Sequence, residues 1–255
     1  MTQSMQDKVV LVTGGGSGFG RATATALATQ GARIVIGDLN ADSAQETARL
    51  AQAAGAQAKA LPLDVTREDS VRGFTEGALN AFGRIDCAFN NAGVLGPVSE
   101  LADVPLDAFE RVMAVNVRGV WLCLQAQIRV MLRQAPPEGG HSIVNTASVA
   151  GLIGSPMLPA YTASKHAVVG LTRAAARSYG RRGIRVNCVC PGPVETPLAE
   201  PLFEAGGMRE LMLARQSIGR FGKPEEVAAL VLWLLSPAAS LVTGTPVRVD
   251  AGALA

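Results

Sequence analysis

The sequence predicts a doubly wound α/β fold built on a parallel sheet, and three observations lead there. Short apolar runs rich in Val and Ile alternate with longer amphipathic stretches, the pattern of βαβ units whose strands are covered on both faces. Five glycines crowd into TGGGSGFG, Thr13–Gly20, directly between the first apolar run and the first amphipathic stretch. The chain of 255 residues can bury one sizeable core without needing a second domain, so a single domain over 1–255 is expected.

Taken in order, the first strand is Val9–Val12, and the glycine loop opens a helix near 18–30 that Gly31 stops. A second strand, Arg33–Ile36, leads to a helix near 42–54, with Asp42 as its expected cap and Gly55 behind it. Gln57–Pro62 is the third strand; the helix near 67–82 is expected to be capped by Thr66 and ended by Gly83. Ile85–Asn90 then precedes one long helix over 107–133, and Ser142–Asn145 precedes another over 160–181, ended by Gly183. Arg185–Val189, a helix near 224–236 and Val247–Val249 complete seven strands and six main helices. APPEGG, 135–140, reads as a surface turn. The stretch 191–207 is crowded with Pro, Glu and Gly; such a loop in a compact domain predicts an active-site lid, over about 191–215.

Composition narrows function. Hydrophobic residues make up 48% and charged residues 17%, with a net charge of +2, as in an ordinary globular protein. Aromatic residues are only 4% and no basic stretch interleaves with them, so nucleic-acid binding is not expected. The longest apolar run, Val227–Leu235, is too short for a bilayer, and MTQSMQDK begins no signal peptide; a cytoplasmic location is expected. Cys87, Cys123, Cys188 and Cys190 lie in apolar segments as small buried hydrophobes, and with only His141 and His166 no metal site is expected.

In an open α/β sheet ligands bind at the carboxyl ends of strands, which directs attention to the residues there. The glycine loop fits three phosphate cradles differently. Arg21-Ala22 stand where a P-loop needs Lys and Ser/Thr, and GxGxxG fails from Gly14 and from Gly16. Thr-Gly-xxx-Gly-x-Gly fits, with Gly14, Gly18 and Gly20, leaving Gly15 and Gly16 as turn filler; Ser17 and Phe19 lie between, and Phe19 is placed to cover a cofactor. A pyrophosphate would sit at the N-terminus of the helix that follows. Asp38, twenty residues beyond Gly18, has the spacing of a carboxylate that meets the adenosine ribose of NAD, beside Leu39. A 2′-phosphate about 4 Å away would cost on the order of 4 kcal/mol per charge pair, which disfavours NADPH. Asp64-Val65 and Asn90-Asn91-Ala92-Gly93 end the next two strands and suit adenine and ribose contacts.

After the fifth strand comes Ser148, and thirteen residues later YTASK places Tyr161 and Lys165 one helical turn apart, on one face. A tyrosine with a pKa of about 10 becomes a useful base if that value falls by two to three units, a preference for the anion of about 3–4 kcal/mol. A lysine ammonium and a cationic nicotinamide could supply it jointly. Ser148 as a hydrolase nucleophile lacks both a GxSxG elbow and an adjoining histidine.

Together these residues resemble the short-chain dehydrogenase/reductase family along essentially the whole chain: TGxxxGxG at Thr13–Gly20, Asp38, NNAG at Asn90–Gly93, Asn116 in VMAVNVRG, Ser148, YxxxK at Tyr161 and Lys165, and Pro191-Gly192 with Val194 and Thr196. The resemblance implies a Rossmann-type seven-stranded sheet and hydride transfer between a secondary alcohol or ketone and a nicotinamide. It implies Tyr161 as acid/base and Ser148 on the substrate oxygen. Lys165 would hold the nicotinamide ribose and lower the tyrosine pKa. Asn116 would hold a water that passes the proton outward, and Val194 and Thr196 would meet the carboxamide. The cofactor set is then Gly14, Ser17, Gly18, Phe19, Gly20, Asp38, Leu39, Asp64, Val65, Asn91, Ala92, Gly93, Tyr161, Lys165, Pro191, Gly192, Val194 and Thr196. Ala251 departs from the family, where a second glycine is common, and leaves the last turn open. The family also implies a homotetramer, or a homodimer, assembled through the long helices and the C-terminus.

The uncharged SVAGLIGSPMLPAY carries Leu152, Ile153, Met157 and Leu158 and predicts a mostly apolar substrate pocket. FNNAG, NTASVAG and SKHAVVGLT particularly resemble bacterial enzymes that oxidise cyclic or hydrophobic secondary alcohols and diols, with NAD. NADPH-linked 3-oxoacyl-carrier-protein reductases are the alternative within the family, and a non-catalytic NAD-sensing protein is the alternative outside enzymes.

Overall fold

The computed structural model describes residues 5–204 and 207–255. Seven strands form one parallel sheet: β1 Val9–Thr13, β2 Arg33–Asp38, β3 Ala58–Pro62, β4 Cys87–Asn90, β5 His141–Thr146, β6 Ile184–Pro191 and β7 Pro246–Val249. Their order is β3-β2-β1-β4-β5-β6-β7, so the winding reverses between β1 and β4, where Thr13 stands beside Asn90. That reversal opens a crevice at the carboxyl edge.

The central strands β1 and β4 are buried on both faces, which is why they read as short apolar runs. Val9 and Leu11 of β1 point with Ile143 of β5 and Val186 of β6 into one core, against helices α3 Glu68–Phe82, α5 Gly119–Met131 and α6 Pro159–Tyr179. Val10 and Val12 point with Ile34, Phe89 and Val144 into the other, under α1 Gly18–Ala28, α2 Ala41–Ala53 and α9 Pro224–Leu235. All four cysteines are free and buried, and among the described residues no His, Cys, Asp or Glu group could hold a metal. No helix among those residues is long and apolar enough to cross a membrane.

The glycines at 31, 55, 83 and 183 take φ of +78°, +93°, +75° and +77°, the left-handed conformation that ends a helix. Two expected caps are corrected. Asn40, not Asp42, caps α2, its Oδ1 accepting from Ser43 N at 3.0 Å. Thr66 instead turns both its N–H and its hydroxyl to Asp64 Oδ1, and α3 begins after Arg67.

The single helix expected over 107–133 is also corrected. It is α4 Leu106–Met113, a π-helical turn Ala114–Arg118, and α5. The wider turn coincides with Asn116, which is fully buried: its Oδ1 accepts from Val94 N at 2.8 Å, and its Nδ2 donates to Val94 O at 2.9 Å and Ser164 Oγ at 3.0 Å. The expected lid holds two short helices, α7 Glu200–Glu204 and α8 Met208–Ala214; Ala205 and Gly206 lie outside the described residues. Phe203 of α7 stacks on Phe221 at 4.6 Å, and the Arg209 guanidinium lies over both rings.

Candidate active site

Each turn at the carboxyl edge is shaped by contacts that leave little room. Gly14 and Gly18 have φ of +61° and +48°, conformations that cost an L-residue with a Cβ roughly 1–2 kcal/mol. A Cβ on Gly14 would also lie 2.7 Å from Ala92 Cα, so the loop after β1 packs against the loop after β4. Thr13 Oγ1 locks the two together, accepting from Asn91 N at 3.0 Å and Ala92 N at 3.2 Å, while Asn91 Nδ2 donates to Gly14 O at 2.9 Å. Gly15 and Gly16 are not filler. A Cβ on Gly15 would stand 2.6 Å from Ile36 Cγ2, and one on Gly16 would stand 2.9 Å from Asp38 Oδ2.

That last contact fixes Asp38. Gly16 N donates to its Oδ2 at 2.8 Å and Asn40 N to its Oδ1 at 2.9 Å, so the carboxylate stands oriented at the end of β2. It shapes the turn before α2 and also lines the crevice.

On the other side of the switch point, β5 runs into Ser148, whose Oγ caps the turn Val149–Gly151 by accepting from Ala150 N at 3.1 Å. Pro159 opens α6, which brings Tyr161 and Lys165 over the end of β5. Lys165 is buried, donates from Nζ to Thr146 O at 2.7 Å, and has Nζ 5.3 Å from the centre of the Tyr161 ring. No carboxylate pairs with it among the described residues.

The expected fall in the tyrosine pKa does not appear in the chain by itself. Burial pushes the Tyr161 phenol up to about 12, and the hydrogen bond with Ser148 only partly offsets this. Burial likewise drives Lys165 down to about 8. Both groups are desolvated by the same walls, and each shift favours its neutral form.

One cavity of about 780 Å³ joins these parts. Gly14, Ser17, Gly18, Phe19, Asp38 and Leu39 line it on one side; Asp64, Val65, Asn91, Ala92 and Gly93 line its floor. Ser148, Tyr161 and Lys165 stand further along, with Pro191, Gly192, Val194 and Thr196 opposite. Thr196 closes on the glycine loop, since a Cβ on Gly18 would meet its Cγ2 at 3.6 Å.

Two expected residues do not line the cavity. Gly20 is buried behind it, where a Cβ would overlap the Gly14 carbonyl, so its role is packing of helix on loop. Asn116 has both amide hydrogens committed, to Val94 O and Ser164 Oγ, and its Oδ1 already accepts from Val94 N, so the side chain is turned to packing these elements together.

The far end is apolar, as expected from Ile153, Met157 and Leu158, which line it; Leu152 instead packs into the core. Sequence reasoning missed Leu202 and Phe203 of α7, Met208, Leu211 and Met212 of α8, and Arg111, Arg215, Gln216 and Leu254. The apolar spacing within the lid was the available signal for the two helices. The C-terminal turn forms with Ala251 held at φ +51°, while Asp250 accepts from Gly252 N at 3.2 Å and Leu254 N at 3.3 Å.

Residues 14–253 match the family model described as enoyl-(acyl carrier protein) reductase. The chain is similar to 2,5-dichloro-2,5-cyclohexadiene-1,4-diol dehydrogenase of Sphingobium indicum, with 43% identity over 249 residues and 97% of each chain covered. It is similar to cyclohexanol dehydrogenase of an Acinetobacter species, at 41% identity over 250 residues, 98% of this chain and 96% of the other. Among solved structures, levodione reductase superposes with a TM-score of 0.91 at 37% identity, covering 97% of both chains. A putative 2-deoxy-D-gluconate 3-dehydrogenase from Agrobacterium tumefaciens, with bound NADP, superposes with a TM-score of 0.89 at 31% identity, over 100% of this chain and 99% of the other.

Proposed function

Because the chain belongs to the short-chain dehydrogenase/reductase family and is a secondary alcohol/ketone oxidoreductase with a nicotinamide cofactor, we propose that it uses NAD, with Tyr161 as the acid/base of the reaction. The observation that carries this reading is that Ser148, Tyr161 and Lys165 share one cavity with the glycine loop and with a carboxylate fixed at the end of β2. The residues fit a dinucleotide. Main chain takes the place of side chain along the loop, where a Cβ at Gly14 or Gly16 would collide, and α1 begins there with no side-chain cap from Ser17 on its first N–H groups. When bound, the cofactor supplies a hydride acceptor or donor at its nicotinamide ring.

The chain's own residues do the rest. Asp38, with both oxygens aligned by main-chain N–H groups, accepts from ribose hydroxyls and repels a 2′-phosphate. Ser148 and Tyr161 hold the substrate oxygen, and Tyr161 takes its proton during alcohol oxidation or returns it during ketone reduction. Lys165 binds the nicotinamide ribose. Its ammonium and the cationic oxidised nicotinamide oppose the burial that raises the Tyr161 pKa, so the base is assembled only in the loaded site. Proton exit runs past the Asn116 main chain. The helices α7 and α8 act as the lid over the apolar end, and the physiological assembly is a homotetramer.

Two measurements test this. Secondary alcohols are screened with NAD and NADP, and ketones with the reduced forms, following nicotinamide absorbance; NAD is expected to be preferred. Tyr161→Phe should lose about 10²–10⁴-fold in turnover while still binding the cofactor. Near-normal turnover in that variant would remove Tyr161 from the mechanism.

A further inference from the structure

The base of the lid meets the C-terminal turn at Gln216, a side chain only 5% exposed that lines the cavity. Its Nε2 donates to Met212 O at 3.0 Å, one turn back. That bond decides the amide's orientation, since the reversed amide would set one oxygen against another. Its Oε1 is left buried with no hydrogen-bond partner among the described residues. Such an acceptor weakens the free protein, and a native site that keeps one invites a ligand donor.

The surroundings restrict the donor. Met157, Leu158, Leu211 and Met212 give this end a hydrocarbon lining. The carboxylates that line the cavity are Asp38, which ends β2, and Asp64, which follows β3, whereas Arg111 and Arg215 contribute positive charge without forming any ion pair among the described residues. An ammonium would share the cavity with two guanidinium groups that no carboxylate pairs among the described residues, which favours a neutral donor. A hydroxyl on a hydrocarbon frame meets both conditions.

Resting on the alcohol/ketone reading above, we propose that Gln216 determines specificity by accepting a hydrogen bond at Oε1 from a second hydroxyl of the substrate, which makes diols and hydroxyketones the preferred class. The reacting carbinol lies at Ser148 and Tyr161, and the second hydroxyl lies at Gln216. A substrate lacking it leaves Oε1 unpaired in the closed complex, and the difference falls on discrimination between substrates.

The test compares kcat/KM for cyclohexane-1,2-, 1,3- and 1,4-diols with that for cyclohexanol, in the wild-type enzyme and in Gln216→Met, with either nicotinamide cofactor at saturation. At least one diol is expected to exceed cyclohexanol about tenfold in the wild type, and Gln216→Met should bring that ratio near unity, mainly through KM for the diol. The melting temperature of the cofactor-free variant should equal or exceed that of the wild type, because an unpaired acceptor has gone. A diol ratio that survives the substitution, an equal loss on both substrate types, or a rise in cofactor KM with the ratio unchanged would each overturn the proposal. Absence of turnover with every alcohol and ketone would instead overturn the alcohol/ketone reading, and the diol proposal with it.

Discussion

Replacing Lys165 by methionine should abolish turnover and yet stabilise the cofactor-free protein. Lys165 is 3% exposed, donates to one carbonyl and has no carboxylate partner among the described residues, and its pKa is driven from 10.5 down to about 8. A folded-state pKa below the unfolded one means that the unfolded chain binds the proton more tightly, so the lysine opposes folding at neutral pH. Linkage with those two values gives a penalty of about 3 kcal/mol at pH 7, falling to about 2 kcal/mol at pH 9 as the buried amine gives up its proton. Methionine fills a similar volume without charge but forfeits the bond to Thr146 O, so a net gain of about 1–3 kcal/mol is expected at pH 7. The assay is urea unfolding of both proteins without cofactor between pH 7 and 9. The difference between them cancels the raised thiols of Cys87 and Cys123, which owe nothing to Lys165. The gap should narrow by about 1 kcal/mol across that window. A Lys165→Met variant less stable than the wild type at pH 7 would refute the idea that this lysine is held at a cost to the fold.

Asp38→Asn should erode the preference for NAD. The charge penalty of about 4 kcal/mol per pair, reduced by solvent at this half-buried site, amounts to about a hundredfold in kcat/KM, and equal use of NADP by the wild type would refute the assignment. Gly18→Val and Gly20→Ala should separate binding from folding. The first fills the crevice beside Thr196 and should abolish NADH binding in a fluorescence titration; the second drives a methyl into the Gly14 carbonyl and should lower unfolding free energy by about 1–3 kcal/mol. A Gly20→Ala protein of unchanged stability would contradict the close packing of α1 on the loop. His141 is buried with its Nε2 unpartnered among the described residues, and burial holds its pKa below the ordinary 6.5. Its neutral form is favoured in the fold, so stability present above pH 6.5 declines as pH falls toward the depressed value. Melting temperature should therefore drop on acidification from pH 7 to 5.5, and less steeply in His141→Gln; parallel slopes would place the effect elsewhere.

The fold was legible because its signals are local. A strand buried on both faces reads as a short apolar run, and Val9–Val12 of β1 are 0% exposed. Helix stops at Gly31, Gly55 and Gly83 are single-residue consequences of left-handed backbone. Caps were less legible: Asn40 and Asp42 are both good capping residues, and the choice depends on where the strand before them ends. The π turn at Asn116 carries no sequence signal, because it follows from what its amide reaches across the fold.

The site divides the same way. Residue types and spacing by themselves determined that a glycine loop, Asp38, Ser148, Tyr161 and Lys165 would lie at strand ends, since a parallel sheet sends every carboxyl end to one edge. Only the tertiary structure decided what those residues do to one another. Gly15 and Gly16 acquired their reason from Ile36 and Asp38, and Gly20 moved from ligand to packing. Tyr161 and Lys165, which the sequence paired by charge, are both pushed toward neutrality. The Gln216 oxygen owes its burial without a partner among the described residues to the tertiary fold alone. Periodicity and backbone preference are written residue by residue, whereas desolvation and hydrogen-bond satisfaction depend on which distant walls close around a group.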